Sequence, residues 1–298
     1  MKLPISVIVL TYNEEKNIIP CLESVADDFQ NLFIVDSFST DNTLKIVEKF
    51  TDKVFEHEFE NYGKQRNWAL NNLPIKTRWV LNLNADQRIT DILKAELIQL
   101  FSCGESDKYD GFLISRKTMF MNKWIKHGCH YPVYDAILFK QGCGVCEESR
   151  YDQVFVIKGK SKVLKGDVID IVTDSLSNFV LRHNKWASQE AIDQVLCEDH
   201  VSNKKGVKQN YWGNPMERRR YLKASYMKFP LFLRAFIYYL YRYFIRLGFL
   251  DGIEGLIFHF LQGFWFRFLV DAKIYEMNEK KKYKSLEVII EENQSVKL

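Results

Sequence analysis

At 298 residues, and with about 150 residues per typical domain, the chain has room for two domains or one large domain with an appendage. A formal net charge of +4, with 47% hydrophobic and 27% charged residues, excludes a disordered, collagen-like or low-complexity chain and gives no reason to expect a nucleic-acid partner. Six cysteines in a chain this long do not resemble the disulfide framework of a small secreted domain, so a reducing compartment is expected.

Residues 5–10 are mostly β-branched, and no small-residue cleavage site follows them, so they read as a strand rather than a signal segment. Ile18, Ile19, Leu22 and Val25 then recur at helical spacing. The cycle repeats. Residues 32–35 end at Asp36, and Ser39, Thr40 and Asp41 can cap a helix bearing Leu44, Ile46 and Val47. A strand over 54–59 precedes a helix over 65–73, and a strand over 79–83 ends in Asn84-Ala85-Asp86, after which Thr90 caps a further helix. Four such cycles predict an α/β domain with a mostly parallel sheet, whose ligands gather at the strands' carboxyl ends.

From 111 to 174 short apolar runs alternate with turn residues, and from 178 onward the texture is helical. The expected division is therefore 1–175 and 176–298. No uninterrupted apolar run reaches 18 residues, so no spanning helix is expected. Residues 229–250 read as one amphipathic helix in which Arg234, Arg242 and Arg246 share a face. Between 215 and 250 eight basic residues stand against one acid, Glu217, a composition suited to the surface of an anionic membrane. A helical pair packed as core is the plainer alternative. The lysines around 280–284 read as a solvated end with at most some help toward anionic lipid.

Three polar clusters fall at strand ends: Thr11, Asn13 and Glu14; Asp36; and Asn84 with Asp86. Singly these are turn residues, but together they suit a nucleoside diphosphate, with Asp36 accepting from a base, Arg66 near base or phosphate, and Asp86 as the carboxylate for Mg²⁺ or Mn²⁺.

These residues carry a family resemblance. ISVIVLTYNEE (5–15) and IVDSFSTDNT (34–43) resemble the family 2 glycosyltransferases, inverting enzymes of GT-A fold. YGKQRNWAL (62–70), KWIKHG (123–128), YP (131–132) and GFLDG (248–252) resemble, more narrowly, the lipopolysaccharide core β-1,4-glucosyltransferase branch. The resemblance implies a GT-A nucleotide-sugar-binding domain followed by a helical, membrane-associating region. It also implies a nucleoside diphosphate sugar donor, UDP-linked, and a lipid-linked or lipopolysaccharide acceptor at the inner face of the cytoplasmic membrane. Position by position, Thr11, Asn13, Glu14, Asp36, Arg66 and Asn84 would line the nucleotide and Asp86 would hold the metal.

The chain departs from the branch in several places. Asn84 stands where the branch has a carboxylate, and Val133 where it has the Asp that resembles a general base. The nearest replacements are Asp135 and, after Cys146, Glu147. Asp170, where the branch often has His, is a candidate second metal ligand. Two other readings stand beside this one, a degenerate homologue that binds nucleotide sugar or lipid without turnover and a basic-aromatic nucleic-acid binder drawn from Arg218 to Arg246, and a zinc site built from His127, Cys129, His130, Cys143 and Cys146 is a separate candidate.

Overall fold

The structure is a computed structural model and describes residues 2–173, 175–198, 206–281, 284, 288, 289 and 291. The chain forms two compact units: residues 2–118, 132–148 and 153–171, and residues 119–131, 149–152 and the described residues from 172 onward. Of the lysine-rich stretch at 280–284, Lys282 and Tyr283 lie outside the described residues.

The first unit follows the predicted cycles: β1 (Leu3–Thr11), α1 (Ile18–Glu23), β2 (Phe29–Asp36), α2 (Thr43–Val47), β3 (Val54–Glu56), α3 (Tyr62–Asn72), β4 (Trp79–Asn84), β5 (Gln87–Ile89) and α4 (Asp91–Ser102). Next come β6 (Gly111–Phe120), β7 (Lys123–Trp124), which pairs with the end of β6 and belongs to the second unit, β8 (Tyr134–Lys140), β9 (Gly144–Cys146), β10 (Phe155–Ile157) and β11 (Ser161–Ile171). The main sheet runs β3-β2-β1-β4-β8-β6-β11-β5.

The strands β3, β2, β1 and β4 are mutually parallel, as their helical crossovers require. The strands drawn from 111–171 join through turns instead, so β8 runs antiparallel to β4 and to β6, and β11 antiparallel to β5. The sheet is therefore mixed rather than mostly parallel. β1 is apolar on both faces because both are covered. Val7, Val9, Ile34, Leu81 and Leu83 pack with Ile18, Leu22, Leu93 and Leu97 of α1 and α4, while Ile8, Phe33, Val35 and Val80 pack with Ala69 of α3 and Leu73 beyond it. Asn61 caps α3 by accepting from Lys64 N at 2.9 Å, so this helix starts three residues earlier than expected.

The second unit is helical: α5 (Leu176–Glu198), α6 (Pro215–Met227), α7 (Leu233–Leu240), α8 (Gly252–Phe258) and α9 (Phe266–Lys280). Its core sets the small residues Ala187 and Ala191 of α5 among Phe266, Val270 and Ile274 of α9. The single helix expected over 229–250 is interrupted. It passes from α7 into a π-helical turn, Tyr241–Ile245, and stops at Leu247, whose φ of 59° no helix can continue. Contrary to the sequence expectation, one helical stretch among the described residues, Gly248–Lys280, is by length and composition apolar enough to cross a membrane.

Candidate active site

In the sheet order, β1 lies between β2 and β4, and the chain switches direction across the sheet there, which is where an open α/β sheet leaves a crevice at its carboxyl edge. Three of the predicted clusters meet at this edge. Thr11 pairs in register with Asp36 on one side, and Leu10 with Asn84 on the other. The Thr11 side chain is buried, and its hydroxyl has no hydrogen-bond partner, which costs about 1–3 kcal/mol unless a ligand supplies one.

The loops after β1 and β2 hold each other. Asn13, at a positive φ of 53°, donates its N–H to Ser39 Oγ at 2.8 Å and accepts from Thr40 N at 2.8 Å. Glu14 N donates to Thr43 Oγ1 at 2.8 Å, and Glu15 takes Asn42 N at 3.1 Å. Asp36 is 0% exposed and accepts from Ser39 N at 2.7 Å and Ser39 Oγ at 2.6 Å. Burial opposes ionisation of Asp41, yet the hydrogen bonds from Thr43 and from the Glu15 N–H hold its carboxyl below the usual range. Much of what the sequence offers as ligand contacts is thus spent on fixing these loops, while Tyr12 and Phe38 keep exposed rings there.

Arg66 corrects an expectation. It is 0% exposed, with its guanidinium donating to Leu83 O at 2.7 Å, Asn84 Oδ1 at 2.6 Å and Ile8 O at 3.4 Å. It is placed beneath the strand ends and orients Asn84 rather than offering itself to a base or phosphate. The rest of the α3 motif works similarly. Gln65 donates to Ser37 Oγ at 3.2 Å, and Asn67 pairs with the Cys146 backbone at 2.9 and 3.0 Å. Gly63 lies so close to the Glu147 carbonyl that an added Cβ would come within 2.1 Å of its oxygen.

Asp86 and Asp170 lie on neighbouring rungs. Asp170 pairs in register with Gln87 and accepts from its side chain at 3.1 Å, while Asp86 O accepts from Ile171 N at 3.0 Å. Burial first, and then the Asp86 charge, push the Cys21 thiol up. Arg116 of β6, which the sequence reading missed, lies 3.6 Å from Asp135 and 3.8 Å from Asp170, joining the candidate base to the candidate metal ligand. Its signal was available: Arg116 and Lys117 sit inside a strand, and such charges imply carboxylates on neighbouring strands, as Lys117 finds in Asp167 at 3.0 Å. Burial chiefly raises the Tyr62 pKa, against the opposing charge of Arg66. Glu147 is only 8% exposed.

Among the described residues no group of three or more His, Cys, Asp or Glu is arranged to hold a metal. Burial pushes the Cys146 thiol up to about 12, which disfavours the thiolate that zinc requires. His127 is instead hydrogen-bonded through Nδ1 to Asp251 at 2.6 Å. Asp86 and Asp170 are carboxylates of the hard kind that Mg²⁺ takes together with water and phosphate oxygens, and the Asp170 carboxylate is shared with Gln87 and Arg116.

The arginines expected on a lipid-facing surface also need correction. Arg234 is buried and donates through Nε to Asp271 at 2.7 Å and through Nη2 to Gln194 at 3.0 Å. Arg242 is buried and donates to Gly128 O at 2.6 Å. Only Arg246 of the three is exposed, because the helical face that carries Arg234 and Arg242 turns inward.

Residues 6–144 match the family described as Glycosyl transferase family 2. The chain is similar over nearly its full length to the lipopolysaccharide core biosynthesis glycosyltransferase LpsC of Rhizobium meliloti, at 27% identity over 293 residues, covering 94% of this chain and 95% of that one. It is 26% identical over 286 residues to an uncharacterized glycosyltransferase of Rickettsia typhi, covering 93% and 88%. Among solved structures it is similar to S. aureus TarS 1–349, at 18% identity and a TM-score of 0.43, covering 96% and 93%.

Proposed function

We propose that the chain is an inverting glycosyltransferase that moves a sugar from a UDP-linked donor to a lipid-linked or lipopolysaccharide-core acceptor at the inner face of the cytoplasmic membrane. The observation that carries the reading is the convergence at the β1/β4 switch point: the unpartnered Thr11 hydroxyl and the oriented Asn84, with Asp86 two residues on. Similarity to LpsC supports the acceptor class.

In this reading Thr11, Asn84 and the loop of Asn13 and Glu14 bind the nucleotide, with Asp36 beneath the base and the exposed Tyr12 ring available to stack on it. Asp86 and Asp170 would hold Mg²⁺ or Mn²⁺, which when bound would neutralise charge on the departing diphosphate. Asp135 takes the proton of the acceptor hydroxyl as that oxygen attacks the anomeric carbon in line, and Arg116, 3.6 Å away, orients that carboxylate. Glu147, being more buried, ranks second for this role. The amide at Asn84 does not favour the non-catalytic alternative, since its oxygen still takes the Arg66 hydrogen bond.

Calorimetric titration of UDP and GDP, with and without Mn²⁺, on wild type and Asp86→Ala tests the site. Metal-dependent UDP binding that disappears in the variant is the expected outcome. Absence of binding by wild type under every condition overturns the reading.

A further inference from the structure

The helices of the second unit are built inside out. Along α7 and its π-helical extension, Leu233, Phe236, Ile237, Leu240, Phe244 and Ile245 recur at spacings of three and four residues, and all are exposed, Ile245 by 71%. The opposite face carries Arg234 and Arg242, and both are buried. The Gly248–Lys280 stretch repeats the inversion, with Ile253 (72%), Leu256, Phe260 and Phe268 exposed and Asp251, His259 and Asp271 buried. A helix packed on a water-soluble core does the opposite. Here the inner charged groups are held by one another and by backbone: Arg234 donates to Asp271 at 2.7 Å, Asp251 accepts from the His127 N–H at 2.9 Å, and His259 lies 3.5 Å from Asp251. That is how polar side chains are housed when the outside is hydrocarbon.

Ring contacts join the two stretches into one apolar surface: Phe236 meets Phe264, and Tyr239 meets Phe260. Exposed cations, Lys228 before α7 and Arg246 after its extension, flank the first stripe, and they complement lipid phosphates rather than a second copy of the same basic face. From Leu233 to Ile245 the stripe is about 18 Å long at 1.5 Å per residue, short of the roughly 30 Å hydrocarbon core. The Gly248–Lys280 stretch has the length to cross, but its inner face is tied within the second unit by Asp271 and Asp251.

We propose that this face inserts into the acyl region of one leaflet, anchoring the chain by hydrophobic burial and not by attraction of arginines to headgroups. The proposal rests on the reading above only for the acceptor's being lipid-linked.

The test is flotation of the full chain with vesicles of phosphatidylcholine alone and of phosphatidylcholine with phosphatidylglycerol, at low salt and at about 1 M NaCl, where the Debye length falls to about 3 Å. Flotation with both compositions that persists in high salt is expected, with at least about a hundredfold loss of partitioning when Phe244, Ile245 and Ile253 are all changed to Ser. Circular dichroism and UDP titration on that variant confirm that it is folded, and they report on the donor site independently of flotation. Binding confined to anionic vesicles and abolished by salt overturns the proposal. So does a wild-type dimer that ignores vesicles and becomes monomeric in the triple variant.

Discussion

Arg66 is fully buried, and its guanidinium donates to neutral oxygens: two backbone carbonyls and the Asn84 amide. Charge-assisted hydrogen bonds are roughly twice as strong as neutral ones, so a carboxylate at position 84 would answer the guanidinium better than the amide does. Asn84→Asp is therefore expected to raise stability by about 1–2 kcal/mol, read as an increase in Tm, and to strengthen Mn²⁺-dependent UDP binding by adding a charge beside Asp86. Arg66→Met removes the donors while leaving their acceptors buried, and should cost on the order of 3 kcal/mol and weaken UDP binding through the displaced Asn84. If the variant bound UDP as wild type does, Arg66 would have no positioning role at the site.

At the scale of elements, the sheet unit depends on how closely α3 approaches the segment after β9. Gly63→Ala places a methyl 2.1 Å from the Glu147 carbonyl oxygen, and backbone can yield only by moving Glu147 or the start of α3. A loss of about 2 kcal/mol or more is expected, measured by denaturant titration, against little loss for Gly263→Ala, whose Cβ would meet nothing closer than 3.8 Å. The elements themselves were legible because covered parallel strands read as short apolar runs and caps such as Thr90 mark helix starts: Thr90 does accept from Leu93 N, at 3.2 Å. The antiparallel half was less legible, since β8, β6 and β11 pair across gaps in sequence that no local pattern encodes. The site was legible as positions but not as roles. Asp36, Asn13 and Arg66 are where the motifs put them, yet they hydrogen-bond to Ser39, Thr40 and Asn84, and the partners of Arg116 follow from the strand pairing. The arginine face over 234–246 was misread because spacing shows which residues share a face, not which face is inside.

For the molecule as a whole, two units with separate cores need not respond alike to solvent conditions. The helical unit carries a group that makes it sensitive to acid. His183 lies within α5, stacked on Phe179 at 3.8 Å between ring centroids and edge-on to Trp186 and Phe266, with Nδ1 bonded to Phe179 O at 2.8 Å. Burial lowers its pKa from 6.5 to about 4, the Phe179 carbonyl opposes that shift, and the charges of Arg182 and Arg267 add to it. The unfolded chain takes up a proton near pH 6.5 that the folded unit refuses until about pH 4. Stability contributed by the neutral imidazole is therefore complete above pH 6.5 and is lost as pH falls through this window, on the order of 3 kcal/mol by pH 4. Thermal unfolding followed from pH 7.5 to about pH 4 should show Tm falling with acid, and His183→Gln, which cannot take up the proton, should flatten that slope. Retention of the full slope in His183→Gln would assign the acid sensitivity to other groups. UDP binding followed over the same range separates the units, because the candidate donor residues all belong to the sheet and His183 to the helices.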